Sequence, residues 1–547
     1  MAQPLSNHRC QDLLVAVTVV VAFLVAAGDA SSVGFDLHHR FSRWSGGGRR
    51  PGATPSPRRT GHPEARRSTT LRCPATTAPS SPAAPSQAAP TGCSPSPPAT
   101  RPYNTSDRAY HSWLYYAVVE VGTPNATFLV ALDTGSDLFW VPCDCKQCAS
   151  IANVTGQAAT RLRPYSPRQS STSTQVTCDN ALCDRPNACS AATNGSCPYE
   201  VRYVSANTST SGVLVQDVLH LTRERPGAVD EALQAPVVFG CGQVQTGSFL
   251  DGGAFDGLMG LGMEKVSVPS VLASSGLVAS DSFSMCFGDD GVGRINFGDA
   301  GSRGQGETPF TGRSTLYNVS FTSINVGTKS VAAEFAAVID SGTSYTYLAD
   351  PEYTELATNF IELKVKFNSL VRERRANFSS GTADSFPFEY CYSISPNQTE
   401  ALIPDVSLTT KGGALFPVTQ PFIVLFDTAT RRAVGYCLAI MKNDLGINLN
   451  IIGQNFMTGL KVVFDRERSV LGWEKFDCYK NARVADAPDG SPSPAPEAGP
   501  TKITPRQNDS YPGAAPLPRS AGSRNAAASS LGAGGLSLLI LAAAALV

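Results

Sequence analysis

Asp133 and Asp340 each close an apolar run and open a short turn made of hydroxyl residues and glycine. The chain reads FLVALDTGSDLFWV around the first and AAVIDSGTSYTYL around the second. A carboxylate among apolar groups is costly unless something pairs with it or shares its proton. A lone Asp-Thr-Gly is also what a turn uses to cap its own backbone. Repetition separates the two readings. Both copies run apolar strand, Asp, Thr or Ser, Gly, a second hydroxyl, then a large apolar group. Both are followed downstream by two apolar residues and a glycine, Leu258-Met259-Gly260 and Ile451-Ile452-Gly453. A two-part unit present twice in the same order points to internal duplication.

Two such strand ends that face each other would form an acid–base device. Like charges a few ångströms apart cannot both ionise easily, so the pair holds one proton and titrates as a unit. The ionised carboxylate can take a proton from a water held between them, while the protonated one donates to a carbonyl oxygen. Other chemistries fit less well. Beyond the Arg-rich segment the only histidines are His111 and His220, neither near a Ser or Cys motif, so a nucleophile that needs a histidine base is disfavoured. No His-Glu spacing suits a catalytic metal, and no cofactor is expected. The glycines of FDGLMGLGME lie in the apolar-apolar-Gly unit rather than in a nucleotide loop.

The elements that must position the carboxylates are strands. From Trp113 onward, runs such as YYAVVEV, TFLVAL, GVLVQDVLHL, APVVFG, LYNVSFTSINV, FIVLF and KVVFD alternate with Gly, Pro and Asn turns. Helical patterning is confined to about 267–274 and 351–375, the second opening near Pro351. The expectation is an all-β fold with few short helices. With 547 residues the chain is long enough for more than one core. A net charge of −1 argues against a general nucleic-acid binder.

The flanks carry other signals. A basic start followed by LLVAVTVVVAFLVAA and small residues through Ala30 reads as a secretory leader over 1–30. Residues 31–105 contain a stretch rich in Arg, Pro, Ser and Ala without periodicity, expected to be largely disordered. Residues 481–524 read as a Pro/Ser/Ala-rich linker, and 525–547 as a glycosylphosphatidylinositol signal ending in LSLLILAAAALV. Of 15 cysteines, 12 fall between Cys143 and Cys478, which in a secreted chain implies up to six disulfides of unreadable connectivity. The cluster Cys143, Cys145, Cys148 could also be a metal knuckle, but no histidine is near it. Nine Asn-x-Ser/Thr sequons fit a glycosylated extracellular surface.

The doubled Asp-(Thr/Ser)-Gly pattern resembles that of the pepsin-like aspartic proteases. The cysteines between 143 and 197, and the stretch GFDLHHRFS, resemble the plant nepenthesin-like branch. The resemblance covers about 113–478 and implies two β lobes related by a pseudo-dyad, here 106–310 and 311–480, with a cleft between them. It implies catalysis by Asp133 and Asp340, flanked by Thr134 and Ser341. Gly135 and Gly342 would allow close backbone approach, and Ser136 and Thr343 would bond the outer carboxylate oxygens. It further implies a flap carrying Tyr203, with Trp140 as its aromatic partner and Tyr199 a poorer candidate. The residues Val204-Ser205-Ala206 depart from the Gly-rich turn common there, and Asn207 puts a sequon on the flap tip, so a longer, glycosylated flap is a further expectation. The expected activity is endopeptidase action on proteins or peptides at acid pH, by a pepstatin-sensitive monomeric zymogen product lodged outside the cell through a lipid anchor. The rival from another class is a pepsin-fold binding or inhibitor protein without catalysis.

Overall fold

The structure, a computed structural model, describes residues 114–478 with breaks at 150–163, 191–192, 205–206, 225–230, 251–252, 255, 290, 313, 368–387, 395–400, 427–431 and 444–448. Outside that span it describes 32–39, 501–503 and 514–516. The leader, residues 40–113 and the C-terminal anchor signal lie outside the described residues.

Strands dominate, as the period-2 and continuous apolar runs require. The first lobe is built from β1 (Ser32–His39), β2 (Tyr115–Val121), β3 (Ala126–Asp133), β4 (Trp140–Gln147), β5 (Thr174–Gln175), β6 (Pro198–Arg202), β7 (Ser209–Glu224), β8 (Glu231–Thr246), β9 (Leu258–Gly260), β10 (Ser282–Cys286) and β11 (Val292–Phe297). The second contains β12 (Gly306–Pro309), β13 (Asn318–Val326), β14 (Lys329–Ile339), β15 (Thr346–Leu348), β16 (Cys391–Ser393), β17 (Ala401–Ile403), β18 (Val406–Thr410), β19 (Leu415–Val418), β20 (Phe422–Phe426), β21 (Ala433–Leu438), β22 (Ile440–Lys442) and β23 (Asn450–Ile452). The last two long strands, β24 (Leu460–Asp465) and β25 (Val470–Lys475), cross back. β24 pairs with β10, and β25 with β12, so one sheet of 14 strands runs through the first lobe into the junction. Strands β24 and β25, although they follow the second lobe in sequence, thus belong to the sheet that runs through the first. A hydrophobic seam seals it, with Phe283 of β10 stacked on Phe464 of β24 at 4.8 Å and Tyr317 set edge-on to Phe464 at 4.7 Å.

The helices fall where the 3.6-residue pattern places them: α1 (Val268–Ser274) and α2 (Glu352–Phe367), the expected tail of the latter lying outside the described residues beyond 367. A third, α3 (Gln454–Met457), is a single buried turn.

All twelve cysteines from Cys143 to Cys478 pair: Cys143–Cys241, Cys145–Cys148, Cys178–Cys189, Cys183–Cys197, Cys286–Cys478 and Cys391–Cys437. The disulfide reading of the 143–148 cluster therefore holds; a knuckle needs thiolates, and none of these three is free. Cys286–Cys478 spans 192 positions and fastens the returning C-terminal segment to the first lobe.

Two flanking segments are more ordered than their composition suggests. Strand β1, from the segment read as largely disordered, lies between β11 and β2, with Val33–His38 registered against Val292–Phe297 and Leu37–His39 against Tyr115–Ala117. Its SVGF start buries Val33 and sets Phe35 edge-on to Phe297 at 6.3 Å. From the linker region, β26 (Thr501–Ile503) pairs with β17, and β27 (Ala514–Pro516) with β20. Edge pairing needs only backbone donors and acceptors, which a Pro- and Ser-rich chain still offers over three residues.

Removing residues 32–39 from the full chain would strip both neighbours of a paired edge and expose the surface that Val33 and Phe35 cover. Calorimetry should then show an unfolding midpoint lower by roughly 5–10 °C; an unchanged midpoint would mean that β1 is dispensable.

Candidate active site

Each aspartate is delivered by the same local device. Strand β3 runs parallel to β9, placing Asp133 beside Gly260, and β14 runs parallel to β23, placing Ile339 beside Ile452. β9 then meets β4 antiparallel at Leu258 and Trp140, and β23 meets β15 antiparallel at Ile451 and Tyr347. The apolar-apolar-Gly segments are thus the strands that lie beside each aspartate strand, which is why the pattern repeats as a two-part unit.

Four hydrogen bonds lock the two turns together. The Thr134 N–H donates to Ser341 Oγ at 3.1 Å, and the Ser341 N–H donates to Thr134 Oγ1 at 2.9 Å. Thr134 Oγ1 donates to the Ile339 carbonyl at 2.9 Å, and Ser341 Oγ donates to the Leu132 carbonyl at 2.9 Å. Both side chains are fully buried. Each lobe therefore satisfies backbone groups of the other, and the two aspartates cannot separate without orphaning them.

Within this frame the carboxyls are held by matched donors. Gly135 N–H and Ser136 Oγ reach Asp133 Oδ1 and Oδ2 at 2.9 and 2.5 Å. Gly342 N–H and Thr343 Oγ1 reach Asp340 Oδ1 and Oδ2 at 2.7 and 2.6 Å. The glycines are required by proximity: a Cβ at Gly135 would stand 2.8 Å from Asp340 Cγ, and one at Gly342 would stand 2.1 Å from Asp133 Oδ1. Asp133 is 3 % exposed, and its pKa is pushed well above the carboxylate range. Burial is the main cause, and the facing Asp340 carboxylate adds to it.

The flap is the hairpin β6–β7, closed by the Tyr203 N–H donating to the Thr208 carbonyl at 2.9 Å. Four residues of the chain lie between Tyr203 and Thr208, of which 205–206 fall outside the described residues. Trp140 Nε1 donates to Tyr203 Oη at 2.9 Å, as the resemblance implied. Burial, and then the charge of Asp133, raise the Tyr203 phenol well above its usual range, so it stays a neutral donor over the cleft. Tyr199 instead sits in the core, its hydroxyl sharing a hydrogen bond with Thr210 Oγ1 at 2.9 Å. The structure thus brings the two Asp-(Thr/Ser)-Gly turns with Ser136 and Thr343 together, and pairs Tyr203 with Trp140, while Tyr199 lies in the core.

Three contributors went unnoticed in the sequence. Phe249 sits edge-on to Tyr203 at 5.0 Å and 4.9 Å from Trp140, completing an aromatic wall. Gln454 is buried behind Asp340; its Nε2 donates to the Ser341 carbonyl and its N–H to the Thr343 carbonyl. Its place directly after Ile451-Ile452-Gly453 was the available signal. Asp256, in the Phe-Asp-Gly just before Leu258, accepts from the Leu129 N–H at 2.9 Å, and burial pushes its pKa up to about 7.

Two predictions follow from this geometry. Replacing Thr134 by Val keeps the volume but leaves the Ser341 N–H and the Ile339 carbonyl without partners, so denaturant unfolding should show a loss of about 2–4 kcal/mol; an unchanged stability would mean that the cross-bonds are idle. For Asp256, the folded state binds its proton more tightly than the unfolded chain, whose pKa is near 3.8. Its contribution is therefore fully present below about pH 4 and is lost as pH rises toward 7, by about 4 kcal/mol. Asp256→Asn should flatten that part of the stability–pH curve and gain most at neutral pH; parallel curves for the two proteins would refute the assignment.

Residues 115–299 match the family described as xylanase inhibitor N-terminal, and 316–475 the one described as xylanase inhibitor C-terminal. Aspartyl protease family protein 1 of Arabidopsis thaliana is 51% identical over 370 residues, which cover 67% of this chain and 68% of that protein. Aspartic proteinase-like protein 1 of the same plant is 37% identical over 401 residues, covering 70% and 72%. Among solved structures, conglutin gamma, a basic 7S globulin from lupine seeds, superposes with a TM-score of 0.51 at 21% identity over 68% of this chain and 93% of its own. That last likeness speaks to the fold alone. With the paired aspartates and the two matched halves, these identities show that the chain belongs to the plant family of pepsin-like aspartic proteases.

Proposed function

We propose that the protein is an endopeptidase that hydrolyses peptide bonds at acid pH with a water activated between Asp133 and Asp340. The observation that carries this reading is the facing pair itself, with Asp133 driven toward its protonated form by burial and by its neighbour. In the reaction the ionised carboxylate takes a proton from the water as its oxygen attacks the scissile carbonyl. The protonated carboxyl, a state that burial favours for Asp133, donates to the carbonyl oxygen. The tetrahedral diol then collapses, the C–N bond breaks, and the leaving amine takes a proton from the pair. No covalent adduct with the chain is formed. Tyr203, held by Trp140, closes from above and excludes water.

The setting we propose is the secretory pathway. Six disulfides with well-formed pairing suit an oxidising lumen. The leader and the C-terminal signal in the sequence support export followed by lipid anchoring at the outer face of the plasma membrane. Removal of the segment up to about residue 105 would convert a zymogen to the active, monomeric form.

The non-catalytic binding reading draws on a specific fact: a seed globulin shares this fold, so the fold by itself does not entail catalysis. The intact dyad with all its donors favours the enzyme. Cleavage of a denatured protein between about pH 3 and 5 should be abolished by pepstatin, and equally by Asp133→Asn or Asp340→Asn, whose thermal unfolding at the same pH should stay close to that of the parent. Absence of pepstatin-sensitive cleavage by correctly processed material would overturn the enzyme reading.

A further inference from the structure

Four of the nine sequons fall among the described residues, and the structure sorts them. Asn318 lies within β13, half-buried, with its Oδ1 enclosed, and a glycan there would have to push through the sheet. Asn125 is exposed, but its Nδ2 is engaged with Glu120 Oε2 at 2.6 Å. Asn194 and Asn207 are both exposed and both adopt positive φ, 49° and 55°, the left-handed turn geometry that asparagine tolerates. Of these two, Asn207 stands at the flap tip, four residues after Tyr203.

The backbone at Asn207 is pinned while its side chain faces solvent. Its carbonyl accepts from Thr246 Oγ1 at 2.6 Å, and Ser209 Oγ, the hydroxyl of the sequon, is 2.8 Å from the same Thr246 Oγ1. A group attached at the amide nitrogen therefore projects from a fixed point rather than from a loose loop. That point lies on the turn closed by the Tyr203 N–H donating to the Thr208 carbonyl at 2.9 Å, next to the phenol that Trp140 Nε1 and the Phe249 ring hold at the site.

We propose that Asn207 is an N-glycosylation site and that its glycan acts as a size filter at the cleft mouth. The Asn207 amide nitrogen would displace pyrophosphate from the anomeric carbon of a lipid-pyrophosphate-linked oligosaccharide, forming the N-glycosidic bond, losing one proton and releasing the lipid pyrophosphate. A bulky hydrated oligosaccharide at this position obstructs folded proteins and leaves room for extended peptides. The filtering half of the proposal rests on the protease reading above.

The full chain, made in a secretory plant host, is digested and its glycopeptides are mapped by mass spectrometry, with peptide N-glycosidase in heavy-oxygen water marking occupied sites. Asn207 should be occupied and Asn318 unmodified; an unmodified Asn207 overturns the proposal. Asn207→Gln, Ser209→Ala and enzymatically deglycosylated protein are then compared with the parent on a short peptide and on a folded globular protein. Each should raise cleavage of the folded protein several-fold relative to the peptide. An occupied Asn207 whose removal leaves that ratio unchanged overturns the filter. Absence of peptide cleavage by every form, parent included, counts against the protease reading and leaves glycan occupancy to stand on the mapping.

Discussion

The structure depends on one exchange of hydrogen bonds, in which Thr134 and Ser341 each satisfy backbone groups of the opposite turn. Two carboxylates on an apolar floor repel each other and resist burial; left to themselves, the lobes would relax apart. The exchange prevents this by making separation cost several buried, unsatisfied backbone groups. Burial, and then the repulsion from Asp340, appear as a raised affinity of Asp133 for a proton, which is the property acid–base chemistry needs. Stability and chemistry are here two readings of the same geometry.

Duplication explains much of the frame but not all of it. The parallel pairing of each aspartate strand with its apolar-apolar-Gly strand is common to both halves. The flap and the aromatic wall of Trp140, Tyr203 and Phe249 belong to the first half alone. So do the disulfides that brace them, with Cys143–Cys241 tying β4 beyond Trp140 to β8, which pairs with the flap strand β7. The second half instead contributes Gln454, a neutral amide behind Asp340. A symmetric core thus carries an asymmetric cleft, which is what a chain-like substrate with a direction demands.

The dyad was legible because its residues recur in register, and the β class because apolar runs of strand length alternate with turn residues. The flap residues Tyr203 and Trp140 were legible only through family resemblance, since nothing in their local spacing says that an indole will meet a phenol. Disulfide pairing was closed to sequence because twelve cysteines allow many matchings and only the folded path selects one. Strand β1 was hidden by its surroundings: a short SVGFDLHH beside a long Arg- and Pro-rich stretch carries too little periodicity to announce a partner, and its place is set by the edges of β11 and β2. Asp256 escaped notice because Phe-Asp-Gly reads as a turn, whereas its burial is a property of the packed sheet.

The most direct test of the central claim is an infrared difference titration of the parent against Asp133→Asn, isotope-edited at the aspartate carboxyls. The account predicts that in mildly acid solution one protonated carboxyl signal, distinct from that of Asp256, which both proteins share, is present in the parent, belongs to the pair, and disappears in a single step as pH rises. Two fully ionised carboxylates throughout that range would contradict it.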